Sequence, residues 1–286
     1  MMEKLRVALQ KSGRLSEKSI ELLEECGVTL DGGSGRLLVS SPDFPVEVLY
    51  LRDDDIPQYV ADGVTDVGIV GENVFVEKEK PVYIAERLGF SRCRLSLAVP
   101  KSVDYDNIRF FNNKKIATSY PNILSRFLRE NNINAEIHEI SGSVEIAPGI
   151  GLADAIFDIV SSGSTLFSNN LKEVEVVMKS EAVLIAHHNL VPEKQNILDE
   201  LIFRIRSVQK AKKHKYILLN APNDKIQEII ELIPGMKSPS IVPLAKEGWS
   251  SLHSVVPEKD FWQIIGKLKE KGAQGILVIP IEKMIV

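Results

Sequence analysis

Short apolar runs alternate with helical patterns along the first part of the chain, and this alternation constrains the fold more than any other feature. Residues 5–9 are apolar enough for a strand, and residues 16–25 carry apolar side chains at helical spacing. The same succession starts again at residues 116–117, which run into a helix that begins at Pro121. Strands that alternate with helices predict an α/β protein with a mostly parallel, doubly wound sheet. The restart predicts a second domain.

Two segments of the chain are similar to each other. Residues 61–71 read ADGVTDVGIVG and residues 153–163 read ADAIFDIVSSG. Each has Ala-Asp, a second aspartate four residues after the first, and a glycine at its end. Chance similarity between two strand–turn units is one explanation. We favour the other, in which two lobes of related architecture face each other across a cleft.

The pattern changes from residue 210 onward. Residues 210–215 form a basic run of the kind that is more often a solvated linker than a nucleic-acid site. Strand, helix, strand, strand, helix and strand patterns then follow in that order between residues 216 and 280. This βαββαβ order predicts a small ferredoxin-like module.

Composition and charge exclude several classes of protein. A net charge of −4 gives no general attraction to nucleic acid or to anionic lipid, so an anionic ligand needs a local site. No apolar run approaches the roughly 20 residues that span a bilayer, and the opening MMEKLRVALQ is too short and too charged for a signal peptide. Cys26 and Cys93 lie apart in the sequence and predict free thiols. We therefore expect a cytoplasmic protein.

An apolar strand pattern at residues 155–160 ends abruptly in small, hydrogen-bonding residues. These are Ser161, Ser162, Gly163, Ser164 and Thr165. Because a helix pattern begins near residue 166, free backbone N–H groups and hydroxyls lie together at its start, an arrangement that binds phosphate. Asp158, inside the strand, is placed to accept hydrogen bonds from sugar hydroxyls. The alternative is that Ser162 or Ser164 merely caps the helix.

Other polar residues follow other strands. Lys11 and Arg14 lie in the turn after the first strand, Arg52 follows another strand, and Thr118 and Ser119 precede a helix. Each alone is typical of a solvated turn, but together they lie at the carboxyl ends of strands, where open α/β sheets bind ligands. The sequence has no GxxxxGK[ST] motif and no complete dinucleotide loop, so it supports neither a Walker-type NTPase nor a dinucleotide-dependent dehydrogenase.

Segments along nearly the whole chain resemble, in order, those of the ATP phosphoribosyltransferases, the first enzymes of histidine biosynthesis, in their long, self-regulated form. The segments are LQKSGRL (9–15), LRDDDIP (51–57), DVGIVGENV (66–74), CRLSLAVP (93–100), KIATSYP (115–121), SGSVEIAPGIGLADAIFDIVSSGSTL (141–166), PGMKSPSIVPL (234–244) and IPIEKM (279–284). The resemblance implies two catalytic lobes like those of type II periplasmic binding proteins, residues 1–95 with 185–208 and residues 96–184. It also implies a C-terminal regulatory domain, residues 212–286.

The resemblance also implies a glycosyltransferase reaction, in which N1 of the adenine of ATP attacks C1 of phosphoribosyl pyrophosphate and pyrophosphate leaves. Residues 161–165 would hold the 5′-phosphate, and Asp158 would contact the ribose hydroxyls. The cations expected at the ATP phosphates or the pyrophosphate are Lys11, Arg14 and Arg52. The carboxylates expected in the cleft are Asp66, Glu72 and Glu145. Mg²⁺ would be held mainly by phosphate oxygens, so no protein ligand is assigned to it.

Feedback inhibition by histidine is a further property that the resemblance implies, with histidine bound between the subunits of a homo-oligomer that forms dimers and hexamers. The positions that correspond to the effector site are Asn220, Met236, Ser238 and Ser240. Asn220 departs from some relatives, which have an acidic residue there to meet the amino group of histidine. Ser238 and Ser240 flank Pro239, which is also typical of an ordinary turn.

Two other functions remain open at this point. One is a non-catalytic two-lobe protein that binds a small molecule, since that fold mostly serves binding. Such proteins are commonly exported, and this sequence has no signal pattern. The other is an amino-acid sensor whose active part is the C-terminal module. Neither explains the phosphate-type block at residues 141–166.

Overall fold

The computed structural model describes residues 3–30, 37–233 and 238–285, and the chain divides into two compact units, Met1–Leu198 and Asp199–Val286. The strands are β1 (Leu5–Gln10), β2 (Leu38–Ser40), β3 (Val46–Leu51), β4 (Val67–Gly71), β5 (Val82–Arg87), β6 (Cys93–Pro100), β7 (Lys115–Thr118), β8 (Glu136–Glu139), β9 (Ala155–Val160), β10 (Leu171–Ser180), β11 (Ala182–His187), β12 (His214–Pro222), β13 (Ser240–Pro243), β14 (Trp249–Pro257) and β15 (Gln274–Pro280). The helices are α1 (Arg14–Glu25), α2 (Ile56–Ala61), α3 (Glu72–Lys78), α4 (Pro121–Glu130), α5 (Ser164–Ser168), α6 (Pro192–Lys212), α7 (Ile226–Leu232) and α8 (Phe261–Glu270). No helix in the described ranges has both the length and the apolar character that a membrane crossing requires.

The first sheet of the first unit has the strand order β2-β3-β1-β4-β11-β5. β1 lies parallel to β3 and β4, β2 is antiparallel to β3, and β11 is antiparallel to both of its neighbours. In β4, a Cβ atom on Gly68 would overlap a methyl carbon of Ile56 in α2. The close approach of α2 to the sheet therefore depends on glycine at this position.

The second sheet of the first unit has the strand order β10-β6-β9-β7-β8, with β9 parallel to β7 and β7 parallel to β8. Its core includes Leu97, Phe111, Ile116, Leu124 and Phe157. Helix α4 packs on this core through Ile123, Leu124 and Leu128, and it begins at Pro121 because proline suits the first helical position.

Both sheets are mixed, so the expectation of a mostly parallel sheet is wrong. Three of the five pairings in the first sheet and two of the four in the second are antiparallel. The chain leaves the first sheet in residues 88–92, after β5, and returns to it at Glu181, between β10 and β11. A strand that crosses from the other lobe enters its new sheet from the end that faces that lobe, and it therefore runs against the strands already there.

Each of the two sheets of the first unit forms the centre of one lobe. The two lobes contact each other through α3 and α4. The buried carboxylate of Glu77 in α3 accepts hydrogen bonds from the N–H groups of Asn122 and Ile123 at 2.9 and 3.0 Å. The side chain of Asn73, also in α3, donates to the hydroxyl of Tyr120 at 3.2 Å. Tyr120 is the N-cap residue of α4 and its side chain makes no capping bond. Glu77 therefore supplies this cap from the opposite lobe.

The second unit contains an antiparallel sheet of order β13-β14-β12-β15, with α7 and α8 packed on one of its faces. Its core includes Ile217, Leu219, Ile229, Leu252 and Leu268. The element order β12-α7-β13-β14-α8-β15 confirms the prediction of a ferredoxin-like βαββαβ module.

The expected linker at residues 210–215 is wrong. Helix α6 continues to Lys212, and β12 begins at His214. Val208 and Ala211 are buried whereas Lys212 is exposed. Lys210 and Lys212 therefore lie on the solvated face of a helix whose other face is packed, Lys213 lies in the turn after the helix, and Lys215 is already part of β12.

Candidate active site

A cavity of about 320 Å³ opens at the end of β9. The residues that line it are Arg14, Glu145, Asp158, Ile159, Val160, Ser161, Ser162, Gly163, Ser164, Thr165 and Leu166. The structure thus brings together the whole predicted phosphate segment with Asp158, with one of the three predicted cations and with one of the three predicted carboxylates. Arg14 comes from the first lobe and the remaining residues come from the second, so the cavity lies between the two lobes of the first unit.

The segment 161–165, which we call the phosphate loop, is a tight turn. Gly163 has a φ of 81° and directly precedes α5 as its N-cap residue, with no side-chain capping bond. The hydroxyls of Ser162 and Ser164 lie 2.9 Å apart, and the N–H of Ser164 makes a long contact of 3.4 Å with the Ser162 hydroxyl. Because α5 has only five residues, its dipole contributes little, and the anion-binding capacity of the segment rests on its own N–H groups and hydroxyls.

Asp158 lies on β9, two residues before the end of the strand. Burial raises the pKa of its carboxyl to about 6, and the negative charge of Glu145 adds to this increase. The N–H of Ile159 donates to the Asp158 carboxylate at 2.8 Å, and this hydrogen bond partly offsets the increase in pKa. A half-buried carboxylate with one oxygen engaged still has acceptor capacity for the hydroxyls of a sugar.

The three predicted cations lie at the carboxyl ends of β1 and β3. The N–H of Lys11 donates to the carbonyl of Leu51 at 2.8 Å, which places Lys11 beside Arg52. Arg14 is the first residue of α1 and reaches the cavity. Lys11, Arg14 and Arg52 are exposed, and none of them forms an ion pair with another residue in the described ranges. Their charge is therefore available to an anionic ligand.

The structure does not bring Asp66 or Glu72 to the cavity. Asp66 is buried directly before β4, at the amino end of that strand, where it accepts from the N–H of Arg6 at 2.8 Å and pairs with Lys194 at 3.0 Å. Glu72 follows β4 but is paired with Arg87 beside a separate cavity of about 390 Å³ at the crossing segments. Both carboxylates hold parts of the first lobe together.

Tyr120 is a residue of this region that the sequence did not single out. Burial raises the pKa of its hydroxyl well above the usual value, and the charge of Asp158 adds to this increase. Asn73 from the opposite lobe donates to the same hydroxyl. The segment KIATSYP was recognised, but the burial of Tyr120 and its partner in the other lobe depend on contacts between residues far apart in the chain.

Asn220 and Ser240 lie on one face of the sheet in the second unit. Asn220 pairs with Ser251 of β14, and Ser240 pairs with His253 of the same strand. Because Ser251 and His253 are two positions apart, their side chains point to the same face of the sheet, and so do those of their partners. The opposite face carries the core residues that contact α7 and α8. Ser238 precedes β13, and its hydroxyl donates to the carbonyl of Pro239 at 3.3 Å. Met236 lies outside the described residues.

The oxygen donors in the cavity suit Mg²⁺, which prefers carboxylate, hydroxyl and phosphate oxygens. Glu145 and Asp158 are the carboxylates present there. Across the described part of the chain, no group of three or more His, Cys, Asp or Glu side chains is arranged to hold a metal ion. This donor set fits an ion that arrives on the phosphates of a substrate better than one enclosed by protein ligands.

The sequence matches a family model described as "ATP phosphoribosyltransferase" over residues 52–207 and one described as "HisG, C-terminal domain" over residues 211–283. Among curated relatives, an ATP phosphoribosyltransferase from Bacteroides thetaiotaomicron is 63% identical over 282 residues, which is 99% of this chain and 100% of that protein. One from Cytophaga hutchinsonii is 63% identical over 281 residues, which is 98% of each chain.

Among solved structures, a chain of the ATP phosphoribosyl transferase (HisG:HisZ) complex from Thermotoga maritima matches with a TM-score of 0.61 and 29% identity, over 71% of this chain and 96% of that one. The protein Tv2483, solved with bound L-arginine, matches with a TM-score of 0.52 and 12% identity, over 74% of this chain and 87% of that one. At such low identity the second match reports on the fold alone.

Proposed function

The chain belongs to the ATP phosphoribosyltransferase family, and from this premise we propose that the cavity at the end of β9 is where phosphoribosyl pyrophosphate and ATP react. The observation that carries the proposal is the meeting of the phosphate loop, Asp158 and Arg14 around one cavity. A simple binder or sensor of an amino acid would have no use for a phosphate loop, and a non-catalytic binder of a phosphorylated sugar is separated from the enzyme by the activity assay described below.

The phosphate loop binds the 5′-phosphate of phosphoribosyl pyrophosphate. Its N–H groups and the hydroxyls of Ser162, Ser164 and Thr165 are the donors that surround this part of the cavity. Gly163 supports this role because its left-handed backbone turns the chain around the anion, and a Cβ atom at this position would meet nothing within 4 Å. The glycine is therefore needed for the backbone conformation, since space for a side chain exists.

Asp158 accepts hydrogen bonds from the ribose hydroxyls. These bonds hold the sugar so that C1 faces the nucleophile, and positioning of this kind is a large part of the catalysis of a two-substrate reaction. The carboxylate form is needed, since a protonated acid is a poorer acceptor. The pKa of about 6 therefore couples sugar binding to pH.

In the reaction, the lone pair of adenine N1 forms the new bond to C1 while the bond from C1 to the pyrophosphate oxygen breaks, and pyrophosphate leaves with that electron pair. N1 carries no proton in neutral adenine, so no general base is required for the attack. Arg14, with Lys11 and Arg52 nearby, stabilises the negative charge that accumulates on the leaving group.

Mg²⁺ is part of the proposal, as the ion that neutralises pyrophosphate charge when it is bound. Glu145 is the carboxylate of the cavity that remains to contact it, since Asp158 is engaged with the sugar. The other oxygen ligands would come from the phosphates and from water.

We further propose that the chain has three functional parts, namely a catalytic lobe in residues 1–95 and 185–208, a second in 96–184, and a regulatory domain in 212–286. In the sheets the chain crosses between the lobes a few residues from these bounds, at 88–92 and at Glu181, so all of β6 belongs to the second lobe and all of β11 to the first. Histidine binds the regulatory domain as a feedback inhibitor, at a site that includes Asn220 and Ser240. The placement of these two residues on the sheet face opposite α7 and α8 supports this assignment. Homo-oligomers, namely dimers and hexamers, and a cytoplasmic location belong to the same proposal.

The purified chain, incubated with ATP, phosphoribosyl pyrophosphate and Mg²⁺, is expected to release pyrophosphate and to form an N1-modified adenine nucleotide. Pyrophosphatase is added to draw the reaction forward. Binding of phosphoribosyl pyrophosphate without product, under varied metal and salt concentrations, would favour the non-catalytic alternative. Product formation that is unaffected by substitutions in the phosphate loop would show that the reaction takes place at another site.

A further inference from the structure

We propose that Arg94 is a positioning residue of the phosphate loop, because it holds the carbonyl of Ser161 on the side away from the ligand and so turns the N–H of Ser162 toward the phosphate. The inference rests on the function proposed above for this loop. It concerns a residue that contacts neither the sugar nor the phosphates.

Arg94 reaches the loop from the neighbouring strand. It lies near the start of β6, opposite Val160 at the end of β9. Its Nη1 donates to the carbonyl oxygen of Ser161 at 3.3 Å. Within the described part of the chain, Arg94 is not among the residues that line the cavity. The contact therefore comes from behind the loop.

The guanidinium of Arg94 is itself held in place by an acidic partner. Its Nε and Nη2 donate to the two carboxylate oxygens of Glu173 in β10, and the buried hydroxyl of Ser96 donates to the same carboxylate at 2.6 Å. These hydrogen bonds lower the pKa of Glu173, so the pair stays ionised. A bidentate pair fixes the plane of the guanidinium.

This arrangement distinguishes Arg94 from the cations proposed for the substrate. Lys11, Arg14 and Arg52 have no acidic partner in the described ranges and are exposed. The charge of Arg94 is balanced by Glu173, so its contribution to the loop is the hydrogen bond that it donates in a fixed direction. The guanidinium therefore acts as a fixed donor to one carbonyl and is not the counter-ion of the phosphate.

The effect on the ligand follows from the peptide unit. In a planar trans peptide, the carbonyl of one residue and the N–H of the next point in opposite directions. When Arg94 holds the carbonyl of Ser161 toward β6, the N–H of Ser162 points the other way, and Ser162 lines the cavity. Without Arg94 the peptide is free to rotate as a unit and the loop loses an oriented donor.

The test replaces Arg94 with methionine and measures the Kd of phosphoribosyl pyrophosphate by calorimetry, together with the KM values of both substrates. We expect Arg94→Met to weaken phosphoribosyl pyrophosphate about tenfold, with the KM of ATP changed less than twofold. Arg94→Lys keeps the charge but lacks the fork, so it is not expected to restore affinity. In NMR spectra, the backbone amide signal of Ser162 should shift when phosphoribosyl pyrophosphate is added to the wild type, and it should shift much less in Arg94→Met.

Two further variants separate positioning from loss of stability. Arg94→Met combined with Glu173→Met removes the unpaired carboxylate but leaves Ser161 without its donor, so the double variant should keep the defect. Lys115→Met is the matched control, since Lys115 forms an ion pair with Glu136 at the other end of the same sheet. It should leave both KM values within twofold of the wild type.

The outcomes are separable. Full affinity in Arg94→Met, or its restoration by Arg94→Lys or by the double variant, would overturn the positioning role. A wild-type protein that binds no phosphoribosyl pyrophosphate would instead overturn the proposed function of the loop. If the wild type binds it and Gly163 variants lose binding while Arg94 variants do not, the function stands and only this inference fails.

Discussion

Glu145 and Asp158 face the same cavity, and the charge of Glu145 adds to the burial that raises the pKa of Asp158 to about 6. The two carboxylates reach it from different elements of the second lobe, a short turn of 3₁₀ helix at Val144–Ile146 and β9. Burial first, and the charge of Glu145 in addition, therefore raise the pKa of the group that we assign to the ribose hydroxyls.

The affinity for phosphoribosyl pyrophosphate should therefore depend on pH. As the pH falls through about 6, Asp158 takes up a proton and becomes a poorer acceptor, so kcat/KM for phosphoribosyl pyrophosphate should decrease toward acid. Glu145→Gln removes the neighbouring charge and should move this inflection to lower pH, whereas Asp158→Asn should abolish its contribution and reduce kcat/KM at pH 8. The phosphate of the substrate itself titrates near pH 6. The inflection is therefore assigned to Asp158 only if it moves in Glu145→Gln or disappears in Asp158→Asn. An unchanged inflection in both variants would exclude Asp158 as its source.

Replacement of Gly163 by valine should impair binding of phosphoribosyl pyrophosphate. A β-branched residue at a φ of 81° is strained by about 1–3 kcal/mol, and the phosphate loop would relax to another conformation. We expect the KM of phosphoribosyl pyrophosphate to increase at least tenfold, with a smaller effect on ATP. Gly63→Val is the control, because Gly63 has a φ of 68° with the same open space around it and lies outside the cavity lining. Equal losses in both variants would mean that strain alone is responsible.

Asp66→Asn should reduce stability and leave binding of the substrates nearly unchanged. The amide retains an acceptor for the N–H of Arg6 but leaves Lys194 without its anionic partner in a partly buried position. A loss of about 2 kcal/mol in the free energy of unfolding is expected from urea denaturation. The KM of phosphoribosyl pyrophosphate should stay within twofold of the wild type. A large rise in the KM of phosphoribosyl pyrophosphate without loss of stability would instead indicate that Asp66 takes part in substrate binding.

Asn220→Asp should strengthen inhibition by histidine. A carboxylate at this position would make a charge-assisted hydrogen bond to the amino group of histidine, where the amide makes a neutral one. The histidine concentration for half-inhibition should fall about tenfold, measured from initial rates at fixed substrate. Ser238→Ala, at a residue whose hydroxyl already contacts a local carbonyl, should have a smaller effect. No response to histidine in either protein would contradict the proposed effector site.

Local patterns of the sequence were sufficient for the elements that depend on local physics. The apolar run at 155–160 and the five small residues after it predicted both a strand and the phosphate loop, because strand burial and backbone freedom at glycine depend on a few adjacent residues. The βαββαβ module was predictable for the same reason. The match to a family supplied the identity that we propose for the anion, which physical reasoning from these residues alone left open.

Tertiary structure decided which of the predicted groups meet. Asp66 and Asp158 occupy equivalent positions in two similar segments, yet Asp66 lies before its strand and Asp158 lies near the end of its own, so only Asp158 reaches the cavity. The crossing segments made both sheets mixed, which no local period could indicate. Arg94 contacts Ser161 across 67 positions of the chain. Such contacts depend on the register and direction of strands, which are set by packing of the whole lobe and not by the residues that use them.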